Sequence, residues 1–95
     1  MLHILNQRVD ANCATNMLRV VAKSDEVVLI EKAVQACLKP EWTGFEQCKG
    51  RVYLLQEDLA SRGLIDVAKR QTFSIVDMAG FLALSERHEQ CVTWY

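Results

Sequence analysis

The sequence predicts an α/β protein, a parallel sheet layered with helices. Three observations predict it. Residues 51–64 run Arg-Val-Tyr-Leu-Leu-Gln-Glu-Asp-Leu-Ala-Ser-Arg-Gly-Leu, an apolar strand at 52–55 that turns directly into an acidic helix start and stops at Gly63. So abrupt a passage from strand to helix belongs to a βα unit, and such units build parallel sheets. The run Val27, Val28, Leu29, Ile30 is continuously apolar, as a strand covered on both faces must be. Around these, short apolar runs alternate with segments of helical periodicity, and right-handed crossovers then leave little but a sheet with helices on its faces.

Leu2, His3, Ile4 and Leu5 form the first short strand, and the polar residues 6–12 form a connection with Asp10 or Asn12 placed to cap a helix. Ala14, Met17, Leu18 and Val21 recur at helical spacing, and Ser24-Asp25 breaks the pattern before the second strand. Ile30, Ala33, Val34 and Cys37 predict a short helix over 31–38, closed by Lys39-Pro40. Residues 41–50 read as a loop holding Trp42, Phe45 and Cys48. The third strand, 51–55, feeds a helix over 56–62. Residues 72–76 form the fourth strand, and Asp77 caps a helix bearing Met78, Phe81, Leu82 and Ser85. The tail, 91–95, adds a candidate fifth strand.

Ninety-five residues suffice for one core, since a chain of this size buries roughly 60–70% of its unfolded surface, and residues 1–95 are read as a single domain. Eleven basic and twelve acidic residues leave a net charge of −1, and the densest basic spot is the pair Lys69-Arg70. Counterion release needs clustered cations, so direct nucleic-acid binding by this chain alone is disfavoured. No segment approaches the roughly 20 apolar residues of a membrane span, and 1–5 lack the basic flank of a signal peptide, so the expected location is cytoplasmic. Cys13, Cys37, Cys48 and Cys91 form no Cys-x-x-Cys pair, which argues against a zinc knuckle or dithiol motif.

In open α/β sheets ligands gather beyond the carboxyl ends of the strands. That edge carries Asn6, Gln7 and Arg8, then Glu31 and Lys32, then 56–58, then Asp77. Residues 6–12 hold no glycine, so a phosphate-cradling turn is absent and no cofactor is expected. Asn6 and Gln7 lack the charge that a phospho-acceptor domain needs to hold a divalent cation, and Glu57 and Asp58 read as first-turn helix acids. His88 and Cys91 make half a metal site at most, and His3 lies inside a strand. Cys13 is the candidate sulfur acceptor. It lies at a helix start, with Arg8 as a nearby cation, an environment that favours thiolate. The other reading is a partly buried thiol without a task. No complete catalytic constellation is present.

Residues 1–6, the 27–30 strand, the 51–64 block and the ending at Trp94 resemble the TusB/DsrH family over nearly the whole chain. Lys32-Ala33 stands where relatives often carry glycines and an aspartate. The resemblance implies a DsrEFH-like three-layer α/β/α sandwich with a mostly parallel five-stranded sheet. It also implies a subunit of a heterohexamer with TusC-like and TusD-like (DsrF-like and DsrE-like) partners, passing persulfide sulfur toward 2-thiolation of the tRNA wobble uridine. The DsrH alternative is the analogous role in sulfur oxidation. In TusBCD-type complexes the sulfur-carrying cysteine belongs to the TusD-like partner. The first-helix cysteine of some DsrH members falls here at Met17 or Leu18, about a turn from Cys13. A non-catalytic subunit is therefore expected, with a sulfurtransferase using Cys13 as the other class. Trp42, Trp94 and Tyr95, in a loop and a tail, are the candidate partner-interface residues, and self-association of the isolated chain is an alternative.

Overall fold

Each predicted apolar run forms a strand, and all five strands run parallel. The computed structural model describes residues 1–95. Strands β1 (Leu2–Leu5), β2 (Glu26–Leu29), β3 (Val52–Leu55), β4 (Ser74–Val76) and β5 (Cys91–Trp94) make one sheet in the order β4-β3-β2-β1-β5. The helices are α1 (Asn12–Val20), a 3₁₀ helix (Glu31–Leu38), α2 (Thr43–Gln47), α3 (Gln56–Ser61), α4 (Ile65–Arg70) and α5 (Met78–Arg87).

Topology decides which face each helix covers. From β1 to β4 the chain steps in one direction, so right-handed crossovers place the intervening helices on one face. The step from β4 back to β5 travels the other way and carries α5 to the opposite face. The packing follows this division. Leu5, Val27, Leu29, Val52 and Leu54 point into a large core with residues from α1, the 3₁₀ helix, α3 and α4. The alternate residues Leu2 and Val28 meet Leu84 of α5 in a smaller core, flanked by Ile4, Tyr53 and Phe81. The result is the expected three-layer sandwich.

Several local expectations are corrected. Neither Asp10 nor Asn12 caps α1: Ala11 holds the N-cap position without a side-chain bond, and Asn12 is already helical. Asp10 is instead engaged by Arg8 at 3.0 Å and Lys39 at 3.9 Å. The segment 31–38 is a 3₁₀ helix in which Ala33, Val34, Ala36 and Cys37 are buried. A three-residue repeat eclipses 33 on 36 and 34 on 37, so two rows of small side chains face the core where a wider α turn would splay them. The expected loop over 41–50 contains α2. The fourth strand begins at Ser74 rather than at 72, because Thr72 takes a turn conformation with φ of 59°.

A further helix, α4, was not anticipated, although Asp66 in its first turn and Lys69 and Arg70 in its last are ordinary end signals. Gly63 makes the joint with α3. At φ of 67° its N–H reaches Ala60 O at 3.1 Å and the Leu64 N–H reaches Leu59 O at 2.9 Å, a Schellman termination. Asp77 caps α5 as expected, accepting from the Gly80 N–H at 2.8 Å.

Candidate functional site

The carboxyl edge is bound up by its own acids. β3 passes into α3 without a linking residue, which sets Glu57 and Asp58 in the first helical turn beside two neighbouring connections. Asp58 Oδ2 accepts the Glu31 N–H at 2.6 Å, holding the turn after β2 where Glu31 has φ of 51°. Glu57 Oε2 accepts the Met78 N–H at 3.2 Å, the first helical amide of α5. β3 and β4 are adjacent, yet their following helices lie on opposite faces, so the crevice between them is the topological switch point where open sheets take ligands. Here Glu57 and Asp77 occupy the amides that an anionic ligand would use. Elsewhere on this edge, Asn6 Oδ1 is buried without a partner. A groove of about 220 Å³ opens between the β1–α1 connection and the 3₁₀ helix, with Arg8, Asp10, Gln35 and Lys39 on its walls.

Cys13 is the second residue of α1, half-buried and packed against the large core. Arg8, expected to serve it as a cation, donates to Asp10. Cys37 and Cys48 are fully buried, and burial pushes both thiols up from their ordinary values; for Cys48 the Arg51 charge only partly offsets this. Cys91 is exposed on the edge strand. Of the pair His88 and Cys91, His88 Nε2 is hydrogen-bonded to Glu26 Oε1 at 2.8 Å. No group of three or more His, Cys, Asp or Glu side chains is placed to hold a metal ion.

The three aromatic candidates differ in setting. Trp42 is half-buried and packs edge-on against Phe45, which stacks on Phe73. Trp94 is half-buried against the large core, with its ring stacked on His3. Tyr95 is 82% exposed. On the outer side of α5, Met78 (45% exposed) and Leu82 (57% exposed), four residues apart, form an apolar strip.

Two polar clusters at the opposite, amino edge went unread in the sequence. His3 is fully buried. Its Nε2 lies 2.8 Å from Asp25 Oδ2, and the Trp94 indole donates to its Nδ1 at 3.1 Å. Asp25 also accepts from the Ala22 N–H and from the N-terminal ammonium. Burial opposes the Asp25 charge, yet the Ala22 amide, His3 and the ammonium outweigh it and hold the carboxyl far below the usual carboxylate range. On the other face of β2, Glu26 accepts from Tyr53 Oη, Arg87 and His88, all at 2.8 Å. Burial again opposes the charge, and these donors lower the Glu26 carboxyl despite it. A signal for His3 existed: period-two alternation places it on the same face as Leu5, where a polar ring needs partners.

Fold and site together define a small three-layer α/β/α protein in which side chains of the chain itself occupy the helix amides at the β3–β4 crevice. The family model described as "DsrH like protein" matches residues 9–91, and the chain belongs to that DsrH-like family. It is 28% identical to protein TusB of Shigella dysenteriae serotype 1 over 96 aligned residues, covering 99% of this chain and 100% of that one. Protein TusB of Photorhabdus laumondii is 26% identical over 85 residues, 86% of this chain and 88% of that one. The solution NMR structure of protein Tm0979 from Thermotoga maritima superposes with a TM-score of 0.66 at 22% identity, covering 95% of this chain and 97% of that one. That likeness shows a shared fold.

Proposed function

We propose that this protein is a non-catalytic subunit of a TusBCD-like sulfur-relay complex that supports 2-thiolation of the wobble uridine of tRNA. Membership of the DsrH-like family and full-length similarity to TusB proteins support the relay. The observation that carries the non-catalytic part is the closed switch-point crevice, where Glu57 and Asp77 take the amides that substrate would need. The partners are TusC-like and TusD-like subunits. Tyr95 and the Met78–Leu82 strip offer free surface to them, and Trp42 and Trp94 contribute the ring area their core packing leaves uncovered. The chain contains no helix long and apolar enough to cross a membrane.

Affinity purification from the native cell should recover two homologous α/β partners, and a deletion strain should lose wobble 2-thiouridine. Recovery of a lone chain together with unchanged thiolation would refute the proposal. Intact thiolation with lost sulfur oxidation would instead identify the DsrH-like role.

One observation favours a second reading, a sulfurtransferase with Cys13 as acceptor. Cys13 lies in the first turn of α1, whose amides no side chain caps. There the Cys13 thiolate would attack the outer sulfur of a donor persulfide, R–S–SH, forming Cys13–S–SH and releasing the donor thiolate RS⁻, which takes a proton from solvent. Mass spectrometry would then find one added sulfur atom on the wild type and none on Cys13→Ala.

A further inference from the structure

A buried histidine held between two partners has a definite proton inventory, and His3 is such a residue. The Trp94 indole nitrogen can only donate, so His3 Nδ1 must accept. The single ring proton therefore sits on Nε2 and is donated to Asp25. Both bonds are satisfied only by neutral imidazole in this tautomer. A second proton has one place to go, Nδ1, where it would set an N–H against the indole N–H. The imidazolium would keep the Asp25 carboxylate, and Trp94 would be the partner displaced.

The surroundings leave this competition to few groups. Asp25 is the carboxylate, and its other oxygen holds the N-terminal ammonium at 3.1 Å. Arg51 donates to the carbonyl oxygens of Asp25 and Ala22 at 2.7 and 2.8 Å. Cys48 is a buried thiol in the field of Asp25 and Arg51. In the sheet, His3 stands between Val27 of β2 and Val92 of β5, and α1 buries Ala14 and Met17 on the same face. The second histidine–carboxylate pair, His88 and Glu26, belongs to the opposite face.

Trp94 anchors a strand that is supported on one side only. β5 is the last strand and an edge strand, paired only to β1. Cys91 and Thr93 face solvent and Val92 is half-buried, so its hold on the large core rests on Trp94. We propose that Trp94, His3 and Asp25 form a proton-operated latch, in which proton uptake at His3 Nδ1 expels the indole and frees β5 from the sheet edge. One proton enters from solvent, no other group changes state, and β1 to β4 stay paired. The latch is independent of the sulfur-relay reading.

Hydrogen exchange of the full-length chain followed by NMR tests it, between about pH 8 and pH 5. The Trp94 indole N–H resonance should shift on the acid side. Protection of β5 amides relative to β2 amides should fall about 10-fold, the scale set by loss of a buried hydrogen bond. His3→Gln, which stays neutral, should lose this pH dependence. Trp94→Phe should show lowered β5 protection at both ends of the range, with no further fall on acidification. A constant β5-to-β2 ratio in the wild type would overturn the latch. So would undiminished pH dependence in His3→Gln or, should that variant not fold, in Trp94→Phe, because His88 or general acid loosening would then be responsible.

Discussion

At the scale of single residues, the four cysteines have the same side chain and three different fates. Cys37 and Cys48 are fully buried, and burial raises their thiols, so neither is available as thiolate. Cys91 projects from an edge strand into solvent, and Cys13 is half-covered at the start of α1. Alkylation of the native protein should therefore label Cys91 first and Cys13 more slowly. Cys37 and Cys48 should react only once urea unfolds the chain, and peptide mapping by mass spectrometry reads the order. Rapid native labelling of Cys48 would contradict the packing described. Sequence spacing excluded a Cys-x-x-Cys motif, yet it could not rank these thiols, because burial depends on which segments fold over them.

At the scale of elements, short helices hold their places through individual contacts. α2 has five residues, too few to be stable alone. Its Gln47 side chain donates to Leu18 O at 2.7 Å, tying it to α1. Gly44 lies against the Trp42 ring, and a Cβ there would come within 2.4 Å of an indole carbon. Gly44→Ala must therefore expel Trp42 from its seat against Phe45. The variant should lose about 2 kcal/mol, as overpacked sites do. Urea denaturation monitored by tryptophan fluorescence would measure the loss, and a red-shifted native spectrum would report the displaced ring. In the sequence this helix looks like a loop, because five residues give no periodic signal. The 3₁₀ helix was foreseen in place and in buried face, while its tighter winding was set by the small residues it packs.

At the scale of the whole molecule, the two ends of the sheet have different tasks. The carboxyl edge is tied by Asp58, Glu57 and Asp77, each accepting from a backbone amide. The amino edge is tied by Asp25 and Glu26, successive residues whose side chains serve opposite faces of the sheet. The carboxyls of both lie lower in the folded protein than in an unfolded chain. As pH falls, the unfolded chain therefore binds protons first. Their contribution is fully present above the ordinary carboxylate range, about pH 4, and is lost as pH drops through the folded values. Urea midpoints should decline below about pH 4, and Asp25→Asn with Glu26→Gln should flatten that acid limb while lowering stability at neutral pH. An unchanged acid limb in the double variant would show that other carboxylates govern it.

The sequence by itself determined the layered α/β class, the places of the five strands and the Asp77 cap. Each of these rests on local signals: apolar runs, helical spacing, a capping carboxylate next to the amide it serves. It also carried the family resemblance, through the 51–64 block above all. Only the tertiary structure decided that Glu57 closes the switch-point crevice, that Arg8 serves Asp10 rather than Cys13, and that His3 joins Asp25 to Trp94. Those pairings link residues as far apart as 3 and 94, and a hydrogen bond across such a distance exists only after the parallel crossovers have brought the strands together.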